Sequence, residues 1–347
     1  MTATVGLDVG GTKLLAVVLD DSGAVLAAGR ADTPRAGPRR AGVSQAGPGR
    51  AGARGGGEAG PAGAVLVQAL VELALRVAGG ASADISAVGV GVPGLVDPRG
   101  VLRFAPNLPA GEGVDFSSAL RAGVGVSTIA VGNDATCAAL GELTYGAASG
   151  LSDVLVVTLG TGIGGGVVVN GEILRGANGF AGEIGHVVVD PGGPACSCGQ
   201  RGCWERYASG SGLARLAREA ALGGRIDSVV RLAGGDPEAV RPEHVTAAAA
   251  SGDQAAEAVM DELGWWIALG VANLVSVLDP ELVVLGGGLM AAGDLVLTPT
   301  RRAFGKLLQA AHERPAVGIV AAGLGENAGA VGAAVMARAE QPEVHRQ

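Results

Sequence analysis

Apolar positions along this chain fall into short unbroken runs and longer stretches of helical period, separated by glycine-rich turns. Residues 4–9, 13–19 and 25–30 read as three strands. The short turns between them, Gly10-Gly11 and Asp20-Asp21-Ser22-Gly23, predict an antiparallel meander. From 35 to 63 the pattern dissolves into Gly, Ala, Pro and Arg, with five arginines against one glutamate. So little apolar surface predicts a disordered surface insertion, a solvated loop whose local positive charge could touch an anionic partner. Periodicity returns with an amphipathic helix over 64–78, a buried strand over 85–92 ending in Pro93-Gly94, a strand over 127–131 and a helix over 135–143.

The pattern then restarts, with a strand over 153–159, a glycine-rich turn over 160–166 and a strand over 167–170. This echoes the strand, Gly/Thr turn and strand around Leu7 to Lys13, and predicts an internal duplication. Two such units facing each other would form a cleft. Beyond the cysteines come helices, the longest over 253–278, then a buried strand over 281–285 followed by Gly286-Gly287-Gly288, a strand over 317–321 and a helix over 327–339. The expected division is a small α/β domain of residues 1–132 plus 327–347 and a larger α/β domain of residues 133–326.

Composition narrows the class. A chain of 347 residues can bury two cores, and with 62 glycines and only 3% aromatic residues those cores must be Val, Leu, Ile and Ala against close-packed backbone. A net charge of -8 argues against a general nucleic-acid binder, which needs basic side chains for phosphates. No targeting segment precedes the first strand, and the longest uncharged span, 263–278, is shorter than the roughly 20 residues of a membrane helix. These features predict a soluble cytoplasmic protein with no membrane partner, where free thiolates are available to metal.

Three of the four cysteines, Cys196, Cys198 and Cys203, fall within eight positions, with His186 ten residues before the first. Three thiolates and an imidazole suit tetrahedral zinc, and Gly199 and Gly202 would let the loop fold its sulfurs inward. With all four positions filled the metal would be structural. A Cys-x-Cys redox pair or a disulfide is the alternative, although neither needs the third cysteine.

The glycine-threonine turns point to phosphate. Gly10-Gly11-Thr12 and Gly160-Thr161-Gly162 would each present backbone N–H groups to one concavity, and two such turns suit a nucleoside triphosphate. Asp8 could hold Mg2+ directly or through water, while Lys13 or Thr12 could meet a phosphate. The second turn also satisfies Gly160-x-Gly162-x-x-Gly165, the dinucleotide fingerprint. That motif needs a following helix, whereas Val167-Val168-Val169 reads as strand. No Gly-Lys-Ser/Thr follows either, so there is no P-loop.

Among the remaining polar residues, Asp134 stands at a strand-to-helix junction, where a plain N-capping acid contributes about 1 kcal/mol. Asn133 precedes it, and Glu183 and Glu205 flank the metal-ligand candidates His186 and Cys203, so a metal knot would fix two carboxylates in place. Taken together, Asp8-Val-Gly-Gly-Thr-Lys13, Gly132-Asn-Asp-Ala135, Leu159-Gly-Thr-Gly-Ile-Gly-Gly-Gly166, Ala181-Gly-Glu-Ile-Gly-His186 and the Cys-x-Cys-Gly-x-x-Gly-Cys-x-Glu run resemble the ROK family of sugar kinases over nearly the whole chain outside the insertion.

The resemblance implies a two-domain actin-like or hexokinase-like (ribonuclease H-like) ATPase fold, α/β, with duplicated βββαβα-type units. It implies ATP-dependent phosphorylation of glucose at the 6-hydroxyl, with ATP, Mg2+ and structural Zn2+. By similarity, Asp134 would be the general base. Asn133, Glu183, His186 and Glu205 would bind the sugar ring, with Gly94 and Asn107 at further sugar-loop positions, and Gly286 to Gly288 would lie against the adenosine. His186 would serve zinc through one ring nitrogen and sugar through the other. Related bacterial glucokinases tend to carry a tryptophan after the Asn-Leu of the sugar loop, where this chain continues Pro109-Ala110-Gly111-Glu112. A kinase for fructose, mannose or N-acetylmannosamine is therefore the alternative. The family's sugar-sensing transcription regulators carry a helix-turn-helix ahead of the kinase-like part, for which Asp8 leaves no room. The family also implies a homodimer or homotetramer.

Overall fold

The computed structural model describes residues 2–34 and 60–341, so residues 35–59 of the expected insertion lie outside the described residues, and 61–63 already open a helix. Two compact units result. The first comprises residues 1–141, 175–181 and 327–347, and the second residues 142–174 and 182–326. This division differs from that expected at residue 132/133, because most of the helix that starts at Asp134 packs with the first unit. Residues 175–181 also return to the first unit, an excursion that no motif announces.

The first unit carries β1 (Thr2–Val9), β2 (Lys13–Leu19), β3 (Val25–Asp32), α1 (Pro61–Gly80), β4 (Asp84–Val92), β5 (Leu95–Val96), β6 (Leu102–Phe104), α2 (Phe116–Val124), β7 (Thr128–Asn133) and the start of α3 (Asp134–Tyr145). The second carries β8 (Val154–Leu159), β9 (Ile163–Val169), β10 (Glu172–Ile173), α4 (Glu205–Ala208), α5 (Gly210–Leu222), α6 (Asp227–Leu232), α7 (Pro242–Ala250), α8 (Gln254–Leu278), β11 (Leu282–Gly286), α9 (Asp294–Leu307) and β12 (Gly318–Ala321). The chain then re-enters the first unit as α10 (Ala328–Ala339).

The duplication is explicit in the sheets. Strand order is β3-β2-β1-β4-β7 in one and β10-β9-β8-β11-β12 in the other. In both, three antiparallel strands are followed by two added in parallel. Central strands such as β1 are apolar on both faces because both faces are covered, whereas β3, at the edge, alternates exposed and half-buried positions.

In the first unit Leu66, Leu70 and Leu73 of α1 and Phe116 and Leu120 of α2 are buried with Val5, Leu7 and Val88 of the sheet. The other face meets α10 through glycines and small side chains such as Ala87 and Ala130. A Cβ at Gly6 or Gly89 would overlap the carbonyl oxygen of Ala330 or Ala333. Backbone thus packs on backbone, which is how a chain poor in aromatics fills this layer.

The second unit's core is built on α8, where Gly264 receives Pro299 of α9 and Gly270 receives the Trp204 ring. Helices α1 and α8 are long and apolar enough to cross a membrane, but 44% and 56% of their most apolar windows are buried inside the protein, as expected of core helices.

Strand β9 starts at Ile163, so the expected turn over 160–166 shrinks to Gly160-Thr161-Gly162. Gly164, Gly165 and Gly166 pair with Thr158, Val157 and Val156. These glycines serve packing, since a Cβ on Gly165 would run into the Ile184 side chain. Because a strand follows the glycines, the helix required by a dinucleotide fingerprint is absent from that place.

Candidate active site and metal centre

In the first unit the acidic residues gather at the carboxyl ends of β1 and β7. Asp8 lies near the end of β1, and burial together with the nearby Asp134 charge pushes its carboxyl up to about 7 against the pull of Lys13. Asp134 opens α3, and burial raises its proton affinity as well, although its Oδ1 accepts the Ala135 N–H at 2.8 Å. Space for Asp8 depends on Gly329 at the start of α10, where a Cβ would stand 2.7 Å from the Asp8 Cγ.

Asn133 acts as a strut. Its Oδ1 accepts the Thr136 N–H at 3.0 Å and its Nδ2 donates to the Gly94 carbonyl at 3.2 Å, tying the sugar-loop candidate to α3. Gly94 has φ +102°, and a side chain there would strike the Phe104 carbonyl. Asn107 is exposed on the loop after β6, and its carbonyl lies 3.6 Å from where a Cβ on Gly11 would be, so this loop adjoins the β1–β2 turn. The turn is closed by the Gly10 N–H donating to the Lys13 carbonyl at 2.9 Å, and the Thr12 carbonyl accepts the Thr33 N–H at 3.1 Å.

In the second unit the glycine groups meet at the carboxyl ends of β8 and β11, where open α/β sheets bind ligands. The Gly160 carbonyl accepts the Gly210 N–H at 2.8 Å, which backs Gly160-Thr161-Gly162 with the start of α5. Gly287 has φ +85°, and a Cβ there would lie 2.6 Å from the Leu159 carbonyl, so the run from Gly286 to Gly288 folds against the end of β8. Gly162 leaves room for the Glu205 carboxylate.

His186, Cys196, Cys198 and Cys203 converge, with all four donor atoms within 4.8 Å of one another. The Cys198 and Cys203 sulfurs are 3.6 Å apart, and Cys196 Sγ lies 3.6 Å from His186 Nδ1. Tetrahedral zinc with Zn–S of about 2.3 Å separates its ligands by roughly 3.8 Å, so donor set and spacing fit the ion. All four cysteines are free thiols in this structure. Burial raises the thiols of Cys196 and Cys203, whereas Cys198 is held lower because backbone and thiol hydrogen bonds outweigh its burial.

Two carboxylates flank the cluster. Glu205 Oε1 accepts from Cys196 Sγ at 3.1 Å and lies 3.7 Å from His186 Nδ1, while Glu183 Oε2 lies 3.8 Å from His186 Nε2. His186 therefore turns Nδ1 to the cysteines and Nε2 to Glu183.

Two features escaped the sequence reading. Glu142, fully buried in α3, accepts the N–H groups of Ala147, Gly323 and Leu324 at 2.8 to 2.9 Å, clamping the segment before α10. In sequence it is an ordinary helix acid. Tyr207, two residues after Glu205, donates to Asp190 Oδ2 at 2.6 Å. Its rarity, as one of two tyrosines, was the available signal.

Twin sheets of identical order, with acids and glycine turns at their strand ends, define the actin-like, hexokinase-like ATPase class. The family model described as the ROK family matches residues 63–340. The chain is 36% identical over 347 residues to the glucokinase of Streptomyces coelicolor, covering 99% of each chain. It is 37% identical over 273 residues to the glucokinase of Thermotoga maritima, covering 78% of this chain and 84% of that one. The crystal structure of a ROK family glucokinase from Streptomyces griseus in complex with glucose and AMPPNP matches with a TM-score of 0.81 at 35% identity, over 97% of this chain and 99% of that one. The chain belongs to the ROK family.

Proposed function

We propose that this protein is a cytoplasmic glucokinase, which transfers the γ-phosphoryl group of ATP to the 6-hydroxyl of glucose and releases glucose 6-phosphate and ADP. The observation that carries the reading is the half-buried Asp134 at the start of α3, a carboxylate of raised proton affinity near Asp8, in a chain that matches glucokinases almost end to end. Phosphoryl transfer asks little covalent chemistry of a protein; it needs an in-line hydroxyl, a base and neutralised phosphates. Asp134 would take the proton of the 6-hydroxyl as the O6–P bond forms and the bond to the ADP oxygen breaks. Burial raises its proton affinity, the direction that favours a proton acceptor.

When bound, Mg2+ neutralises charge on the β- and γ-phosphates. Asp8 would hold it, directly or through water. Lys13, Thr12 and the turns Gly10-Gly11 and Gly160-Thr161-Gly162 would meet phosphate oxygens, and Gly286 to Gly288 would face the adenosine. Asn133, Gly94, Asn107, Glu183, His186 and Glu205 would position the sugar, and a zinc ion on His186, Cys196, Cys198 and Cys203 would keep the last two in place. The assembly is expected to be a homodimer or homotetramer.

The loop of Asn107 continues Pro109-Ala110-Gly111-Glu112 without the expected tryptophan and is closed by Glu112, whose Oε1 accepts the Ala105 N–H at 3.0 Å. That local shape keeps a kinase for fructose, mannose or N-acetylmannosamine as the second reading. An assay of hexose 6-phosphate formation across these hexoses, with ATP and then polyphosphate as donor, decides. The highest kcat/KM is expected for glucose with ATP, and a preference for another hexose would replace the glucose assignment.

A further inference from the structure

The cysteine loop has a second fastening that uses no metal donor. Tyr207 is almost wholly buried, and its hydroxyl donates to Asp190 Oδ2 at 2.6 Å. Asp190 Oδ1 accepts the Gly192 N–H at 3.0 Å and its carbonyl accepts the Gly193 N–H at 2.9 Å. The surrounding loop is cut to fit this pair: a Cβ on Gly193 would overlap the Tyr207 hydroxyl, and one on Gly202 would overlap the Asp190 carbonyl. Burial and the neighbouring Asp190 push the Tyr207 hydroxyl up to about 12, so it stays a donor at neutral pH.

The other side of the ring is anchored to helices. Tyr207 stacks on Trp266 of α8 with centroids 4.1 Å apart, and the Arg215 guanidinium of α5 sits 4.8 Å from the ring centroid. Trp204 Nε1 donates to the Trp266 carbonyl at 2.7 Å. Helix α4 is a single turn, too short to hold itself, so whatever fixes Tyr207 also fixes Glu205.

We propose that Tyr207 and Asp190 are positioning residues whose hydrogen bond aligns the cysteine loop with α4, slowing loss of zinc from its four donors and holding Glu205 toward the hexose. This rests on the reading of the cluster as a zinc site and of Glu205 as a sugar contact. Outer partners of metal ligands typically change metal affinity by about tenfold or more when removed. Tyr207→Phe keeps the stacked ring and deletes only the hydroxyl.

The test follows zinc transfer from the loaded enzyme to a chromophoric chelator, with glucose KM and kcat measured alongside. Tyr207→Phe and Asp190→Ala are each expected to speed release about tenfold and to raise KM several-fold with kcat within about twofold. The double variant should release no faster than Asp190→Ala, because that change already removes the acceptor of the Tyr207 hydroxyl. Asp190→Asn, which keeps one accepting oxygen for the hydroxyl but turns an NH2 toward the Gly192 N–H, should release more slowly than Asp190→Ala. Unchanged release in Tyr207→Phe, or additive effects in the double variant, would overturn the proposal. Faster release with unchanged KM would uphold the fastening and break instead the assignment of Glu205 to the sugar. If Tyr207→Phe does not fold, the contrast between Asp190→Ala and Asp190→Asn carries the test alone, and equal release rates overturn the proposal.

Discussion

The two units share a sheet order and differ in how they fix their polar residues. In the first, Asp8, Asn133 and Asp134 stand on strand ends or the first turn of a helix, so the sheet itself places them. In the second, Glu183, His186 and Glu205 lie on or beside a long irregular stretch between β10 and α5 whose regular structure amounts to single helical turns. That stretch is held by sulfur, imidazole, one tyrosine hydroxyl and glycines that admit close backbone approach. A duplicated scaffold can thus position one set of groups by architecture and the other by local cross-links. The first set should fail by losing chemistry, and the second by losing order.

The sharpest break is Asp134→Ala, which is expected to lower kcat by about a thousandfold, within the range for a positioned general base, while glucose binding stays measurable by calorimetry. Full turnover in this variant would remove Asp134 from the mechanism. Removing metal from the second unit should raise glucose KM by about tenfold or more. Hydrogen exchange should then quicken over residues 186–205 and remain slow in β1, β4 and β7; a metal-free protein with native KM and native exchange would sever the link between cluster and sugar.

The smallest effect concerns Asp8. Its carboxyl sits at about 7 when folded against an ordinary 3.8, so between about pH 4 and 7 the folded chain binds more protons than the unfolded one. Stability without Mg2+ should therefore fall as pH rises through this window. Turnover, which needs the ionised carboxylate, should rise through it. A Tm series and a kcat/KM profile for MgATP check both, and Asp8→Asn should flatten the Tm trend.

The same division explains what was legible in the sequence. Strands such as β2 and the two-fold restart are visible because apolar periodicity reports the sheet directly. The grouping of His186 with three cysteines follows from residue type alone. Gly164 to Gly166 misled because glycine serves both sharp turns and close packing, and only the Ile184 side chain against Gly165 distinguishes the two. The Tyr207–Asp190 bond and the bonds of Glu142 to Gly323 and Leu324 span 17 to 182 positions, beyond any local pattern. The return of residues 175–181 to the first unit is likewise invisible, since no composition marks it.

The backbone-on-backbone seat of α10 also sets an order of events during synthesis. Gly6 and Gly89 leave bare backbone on that face of the central strands of the first unit, and the helix that covers it is made only after the whole second unit has been translated. A ribosome-bound chain ending near residue 326 therefore holds an uncapped sheet, open to chaperones and to proteases. The second unit, which contains its own core, can mature first although its sequence comes later. Arrested chains that end before and after α10 should differ sharply in protease resistance within β1 and β4, with the longer chain protected.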